Sequence, residues 1–403
     1  MNLRLARYID RWVGLGICFV LWAAARLLSA GRLVPALFAT TPPGTTPLSE
    51  PRRVLAIKFY GLGNIAMILP TLAAMKRDDP EVEIDFLTLP GNISLLEQSG
   101  FVTRSLTVEV SSLGDFIGSV IGLFNALRGG KYDAVLDFEQ FMKLSGIFAF
   151  LSGAPARIGF NTEGQARGWL YSHRVAYADT DHMADIFMRL ALPFGLAIQP
   201  APHVRISVAA SDRADALAAA GVSDGAGLVA MHVGTGPNYG KVALKRWSVE
   251  RFARLADHLI ETRGVRVVFT GVGEEEADLV REALQHMRHP DGARSLCDVL
   301  SVGALTGLLE AATFVVSNDT SVMHLTGLVE TPVVAIFGAT EPRIYGPRGS
   351  ADLVFYRAVF CSPCLSNYNL KMSRCVDPVC MRQIEVAEVV AGIDARFPAA
   401  KAV

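Results

Sequence analysis

The sequence predicts an α/β protein of two domains, each built around a parallel sheet. The chain has 403 residues, too many for one ordinary core, which stops growing at roughly 250–300 residues. Short apolar runs alternate with Gly- or Ser-rich turns and helical patterns, the signature of βαβ units. The most informative unit is Val315 to Leu325, an apolar run that stops at Ser317, Asn318, Asp319, Thr320 and Ser321 and turns into a helix. Those residue types favour helix N-caps. Such a turn aims free backbone N–H groups and the positive end of a helix dipole at one spot, which suits a phosphate. His324 lies one turn into the helix and can face the same spot. Taken alone, the segment also reads as an ordinary capped turn.

The elements follow in chain order. Residues 1–50 form a hydrophobic segment and linker. Trp12 to Ala25 carries no charge, Arg4, Arg7 and Arg11 precede it, and Arg26 and Arg32 follow. The run is shorter than the roughly 20 apolar residues that a spanning helix needs. Three readings stand: a helix lying on a membrane surface, a true span, and a cleaved signal peptide. Arg next to apolar surface favours anionic headgroups. Pro42, Pro43, Pro47 and Pro51 mark the linker.

Residues 51–203 read as the first domain. Arg53 to Tyr60 is a strand, and Gly61-Leu62-Gly63-Asn64-Ile65-Ala66 opens a helix to about Arg77. Gly-x-Gly-x-x-Ala is also a dinucleotide fingerprint, which wants an acidic residue at the tip of the second strand. That strand, Glu83 to Leu89, ends in Pro90-Gly91-Asn92, and Asp85 sits inside it. The dinucleotide reading is therefore disfavoured. Asp133 to Gln140 is the third strand, with Glu139 near its end. Lys143, Arg157, Arg167 and Arg174 can meet anionic groups or can be plain surface charge. The interdomain linker falls near Gln199 to Arg205, where Pro200 and Pro202 cluster.

Residues 204–384 read as the second domain. Strand Leu228 to Val233 leads into Gly234-Thr235-Gly236-Pro237-Asn238-Tyr239-Gly240-Lys241. This is not a Walker loop: the spacing is one residue short, and Val242 stands where Ser or Thr would bind magnesium. Lys245-Arg246-Trp247-Ser248 precedes an amphipathic helix, Val249 to Thr262. Strand Val265 to Thr270 ends in Gly271-Val272-Gly273-Glu274-Glu275-Glu276, and strand Pro332 to Phe337 ends in Gly338-Ala339-Thr340-Glu341. These polar turns all fall at the carboxyl ends of strands, where ligands of parallel sheets bind. Cys361, Cys364, Cys375 and Cys380 crowd one segment. They read as a structural metal site, as reduced thiols or as disulfides. Residues 385–403 give a terminal helix and tail. The net charge of −1 offers no field for nucleic acid.

One set of motifs resembles a known family. His232-x-Gly234, Lys245-x-Trp247, Gly271-x-x-x-Glu275, Ser317-Asn318-Asp319-Thr320-x-x-Met323-His324 and Phe337-Gly338-x-Thr340 look like the heptosyltransferases of glycosyltransferase family 9. The resemblance runs from about Arg53 to Ile384. It implies a GT-B fold, two Rossmann-like domains facing a central cleft, here with an N-terminal membrane-associated helix and a tail helix packed back on the first domain. It implies transfer of a sugar, heptose first, from a nucleotide donor such as ADP-heptose to a lipid-linked saccharide such as lipopolysaccharide core. The reaction would be inverting, without metal or cofactor, at the cytoplasmic face of the inner membrane. On the donor side the expected contacts are His232, Gly234, Thr235, Glu275, Asp319, Thr320, Ser321 and His324. Lys245 would meet the phosphate charge, Glu275 the ribose, and Asp319 sugar hydroxyls or the turn backbone. Ser321 stands where the family usually has Gly. The segments around Arg157 and around His182 to Asp185 resemble acceptor-side segments.

The departures concern catalysis. The family's Gly-rich turn, here at Gly63, carries an Asp that acts as general base, and this chain has Asn64 there. An amide cannot take a proton near neutral pH. Glu139 stands where the family usually has Gln. It is read either as a replacement base or as a solvated strand-end charge. Asn64 also keeps open a catalytically silent member that binds nucleotide or glycan at a membrane.

Overall fold

The computed structural model describes residues 3–30, 51–109, 112–196, 199–236 and 241–398. It divides into two compact units, Met1–Val204 and Arg205–Val403. The first unit contains α1 (Leu3–Ala30), β1 (Arg53–Ile57), α2 (Leu62–Asp78), β2 (Glu83–Thr88), α3 (Ile93–Ser99), β3 (Arg104–Thr107), α4 (Leu113–Gly129), β4 (Ala134–Asp137), α5 (Lys143–Leu151), β5 (Ala156–Asn161), β6 (His173–Ala176) and α6 (Met183–Met188). The second contains α7 (Ala210–Ala220), β7 (Leu228–His232), α8 (Val249–Arg263), β8 (Arg266–Thr270), α9 (Glu274–His286), β9 (Ala293–Ser295), α10 (Val302–Ala311), β10 (Phe314–Asn318), α11 (Ser321–Leu328), β11 (Val333–Phe337), α12 (Pro342–Tyr345), β12 (Leu353–Tyr356), α13 (Val379–Arg382) and α14 (Val386–Arg396). The expected linker prolines Pro42, Pro43 and Pro47 lie outside the described residues, as do residues 237–240 of the loop after β7.

Both sheets are parallel throughout. Their orders are β3-β2-β1-β4-β5-β6 and β12-β11-β10-β7-β8-β9. Each chain starts at a central strand, steps outward one way, then returns to build the other side. The reversal between β1 and β4, and again between β7 and β10, opens a crevice at the carboxyl ends of the strands. The strands read as unbroken apolar runs because helices cover both faces. All of β7 and β11 is buried, and so is Val54 to Ile57 of β1.

The helices follow from their apolar stripes. In α8, Val249, Phe252, Ala253, Leu255, Ala256 and Leu259 are buried at helical spacing, and they join Trp247 in the core of the second unit. The helix stops at Gly264, which takes a left-handed φ of 62°, a conformation that costs glycine little.

Helix α1 packs on the first unit. The Asp10 carboxylate accepts N–H bonds from Lys143 (2.9 Å) and Leu144 (2.9 Å), and so caps the first turn of α5 from another helix. Gly14 allows the approach, since a Cβ there would lie 3.1 Å from the Lys143 Cβ. Cys18 is buried with Ile147 and Leu170, and Trp22 meets Trp169 at 5.8 Å. The opposite face leaves Trp12, Val13, Phe19 and Val20 more than half exposed. No helix among the described residues is long and apolar enough to cross a membrane.

The tail helix α14 sends Val389 and Ile393 into the core of the second unit. Phe397 stacks on Phe314 with centroids 4.9 Å apart, and Asp394 pairs with Arg263 of α8 at 2.6 Å. The sequence shows an amphipathic helix but not which core its stripe enters.

Candidate functional site

In the second unit, side chains from four turns gather at the carboxyl edge of the sheet. Strand β10 ends at Asn318 in the β7/β10 crevice. Its carboxamide donates to the carbonyls of Val233 (2.9 Å) and Gly234 (3.2 Å) and accepts the Trp247 N–H (2.9 Å). It therefore locks the β7 turn and the Lys245–Trp247 turn to β10. Thr320 is the N-cap of α11: its Oγ1 accepts the Val322 N–H at 3.2 Å. Ser321 opens that helix, and both it and His324 are half-buried.

Lys245 reaches this turn directly. Its Nζ donates to the Asp319 carbonyl (2.6 Å) and to Asp319 Oδ2 (3.2 Å). The same Oδ2 accepts from Thr340 Oγ1 at 2.7 Å. Burial alone would raise the Asp319 carboxyl, but Lys245 and Thr340 hold it below its ordinary range. Asp319 was expected to face sugar hydroxyls or the turn backbone. Its carboxylate holds Lys245 and Thr340 beside the start of α11.

On the β8 side, His232 is buried, with Nδ1 3.1 Å from Thr270 Oγ1 and Nε2 3.9 Å from Glu276. Burial lowers its pKa and favours the neutral ring, although Glu276 opposes this. Glu276 accepts N–H bonds from Gly236 (2.8 Å) and Val272 (2.9 Å). Gly234 is required here, because a Cβ would fall 1.9 Å from Glu276 Oε1. Glu275 is half-exposed and pairs with Arg246 at 2.7 Å. Arg246 also donates to Oγ1 of buried Thr235 (3.1 Å).

The first unit places its candidates differently. Asn64 sits in the first turn of α2, beside buried Gly63, and donates to the Tyr60 carbonyl at 3.3 Å. Glu139 is buried, which corrects the solvated-charge reading. Its Oε2 pairs with Lys58 Nζ at 2.8 Å, and its Oε1 accepts the Phe59 N–H at 2.9 Å. Burial works against its charge, but Lys58 and Phe59 outweigh it and hold the carboxyl below its ordinary range. A carboxylate so engaged is a weak base. Arg157, expected among the acceptor contacts, lies inside the first unit. It is buried and donates to the Leu170 (2.9 Å) and Ala154 (2.7 Å) carbonyls, and burial pushes its guanidinium down to about 10. Arg167 is fully buried against Asp137 at 2.6 Å, and Lys143 donates to Gln165 at 3.2 Å. Of these four cations, Arg174 faces solvent.

Comparison with known proteins agrees with this layout. The sequence profile described as Glycosyltransferase family 9 (heptosyltransferase) matches residues 120–372. The chain belongs to glycosyltransferase family 9. It is 21% identical over 364 residues to lipopolysaccharide heptosyltransferase 3 of Escherichia coli, covering 85% of this chain and 98% of that one. The structure of E. coli ADP-heptose lps heptosyltransferase II superposes with a TM-score of 0.70 at 20% identity, covering 85% and 98% of the two chains. E. coli heptosyltransferase WaaC with ADP-2-deoxy-2-fluoro heptose gives 0.63 at 19% identity, covering 85% and 99%. The protein is thus a glycosyltransferase with the two-sheet architecture of its family.

In this family 9 enzyme, sequence reasoning missed Thr340 as a partner of Asp319, and Glu276. The signal for Glu276 was the acidic trio Glu274-Glu275-Glu276 at a helix start, where one member must turn inward. Cys361 is exposed, Cys364 and Cys375 are partly buried, Cys380 is buried, and all are free thiols. Among the described residues, the one group whose side chains converge as metal ligands is the exposed trio Glu250, Glu282 and His286. The cysteine segment docks by its backbone. Cys364 and Leu365 donate N–H bonds to the Ala339 carbonyl (3.0 and 2.9 Å), and Ser362 Oγ donates to the Gly338 carbonyl (2.6 Å).

Proposed function

We propose that this enzyme transfers a heptosyl group from ADP-heptose to a lipid-linked saccharide of the lipopolysaccharide core, with inversion and without a metal ion. The names of its relatives, and the ADP-heptose analogue bound to one of them, support the donor and acceptor classes. One observation carries the reading: Lys245 and the capped start of α11 converge on the Asp319–Thr320 turn. Departure of a nucleoside diphosphate builds negative charge on its phosphate oxygens. A preorganised cation and helix-start N–H groups meet that charge without reorganising, which is the main catalytic resource for such a step. In this reading Glu275, at the start of α9, accepts from ribose hydroxyls, and its ion pair with Arg246 supports that role by orienting the carboxylate.

On the acceptor side, Asn64 orients the attacking hydroxyl. Neither Asn64 nor the Lys58-bound Glu139 is a strong base, so the barrier is lowered chiefly at the leaving group. The exposed apolar face of α1 rests on the cytoplasmic face of the inner membrane, where both donor and lipid-linked acceptor are available. Arg4, Arg7 and Arg11 favour anionic headgroups there.

The test is a binding and slow-hydrolysis screen of the purified protein against ADP-, UDP-, GDP- and CDP-sugars. ADP-heptose is expected to bind and to turn over with acceptor, undiminished by EDTA. Loss of turnover in EDTA would overturn the metal-free step, and no binding to any donor would sink the transferase reading. Donor binding without turnover on any acceptor would overturn the proposed transfer to a lipid-linked saccharide.

A further inference from the structure

We propose that Lys371, carried by the cysteine-rich segment after β12, is a second cation of the donor diphosphate site. The inference rests on the donor reading above. The segment is pinned to the β11 turn at Gly338 and Ala339, next to Thr340, which holds Asp319. From there it continues to a tight turn at Leu370 and Lys371, whose φ angles are 54° and 58°. Such left-handed conformations are costly for residues with a Cβ, so the turn must be held. It is: Leu370 N–H donates to Asn367 (3.0 Å), Lys371 N–H to Ser366 (3.0 Å), and Asn369 Nδ2 to the Cys364 carbonyl (2.8 Å).

This turn places Lys371 between two parts of the phosphate site. Its carbonyl accepts the Lys241 N–H at 2.9 Å, at the start of the short turn that ends in Lys245. Its Nζ lies 4.4 Å from the Tyr345 ring centroid and 3.3 Å from the Tyr345 hydroxyl, in the helix that follows the Thr340 turn. Lys371 is close enough to help lower the Asp319 carboxyl.

Charge balance explains why a second cation is useful. Lys245 meets the phosphate charge while paired with Asp319, and that pairing offsets part of the positive charge it brings to an incoming ligand. A nucleoside diphosphate carries several negative charges. A cation resting on an aromatic face is held by a modest attraction, and it can leave the ring to meet a phosphate. The segment thus serves as a strap that delivers a lysine.

The experiment compares binding of ADP and of adenosine by calorimetry in the full-length wild type, Lys371→Met and Lys371→Arg. A lost charge-assisted hydrogen bond is expected to weaken ADP about tenfold or more in Lys371→Met. Adenosine binding should not change, and Lys371→Arg should restore most of the ADP affinity. Unchanged ADP binding in Lys371→Met, with normal binding in the wild type, overturns this inference alone. Parallel loss of ADP and adenosine binding, unrescued by Arg, means a structural role and also overturns it. A wild type that binds no ADP overturns the donor reading itself.

Discussion

At the residue scale, Lys58 Nζ and Glu139 Oε2 meet at 2.8 Å in a closed, buried pair. Glu139 was visible as a carboxylate at a strand end. What decides its role is Lys58, 81 positions away, and no local pattern links them. The choice between Glu275 and Glu276 was harder still, since neighbouring helical residues point about 100° apart and only the fold sets the phase. Asp319 was legible as an acidic group in the turn after β10, but its partners Lys245 and Thr340 were not. The Lys58–Glu139 pair yields a clear prediction. Glu139→Gln leaves a buried ammonium without its counter-charge and should lower unfolding stability by about 3–5 kcal/mol. The double change Lys58→Met, Glu139→Met removes both charges and should recover most of that. Denaturant unfolding of the three proteins checks it. If Glu139→Gln unfolds like wild type, the pair is not the closed, buried contact described here.

At the element scale, strands and helices were legible because each apolar run must bury itself, and runs flanked by Gly and Ser can do so only as covered parallel strands. Docking was less legible. The apolar stripe of α14 carries no address of its own, and α14 joins the second unit. The apolar run and basic flanks of α1 were legible, but Asp10 as a cap for α5 was not. The two faces of α1 now separate two effects. Asp10→Ala removes the cap on the Lys143 and Leu144 N–H groups and should cost about 1 kcal/mol. Val13→Glu with Val20→Glu alters only the exposed face. It should leave the melting temperature in place, yet greatly reduce sedimentation with anionic vesicles. Equal sedimentation of this variant and the wild type would argue against the outer face as the membrane contact.

At the scale of the whole molecule, the two units share one strand order but not one chemistry. Each sheet reverses direction beside its first strand and so opens a crevice at the same topological place. In the second unit that crevice is built around Lys245, a capped helix start and glycines that admit close approach. In the first, Lys58, Glu139, Asp137 and Arg167 consume one another's charges in buried pairs. The common topology was readable from alternating apolar runs. The contrast was not, because it depends on which charges meet across each sheet. A diphosphate should therefore bind only the second crevice. Hydrogen exchange with and without saturating ADP tests this on the intact chain. Peptides covering residues 232–236, 271–276 and 317–324 are expected to exchange more slowly with ADP, since bound ligand suppresses local opening. Peptides covering 58–64 and 137–143 should be unaffected. Protection centred on the first unit would reverse the assignment of donor and acceptor sides. Uniform protection across both would mean that the bound state is set by a global change and not by the local charge pattern of one crevice.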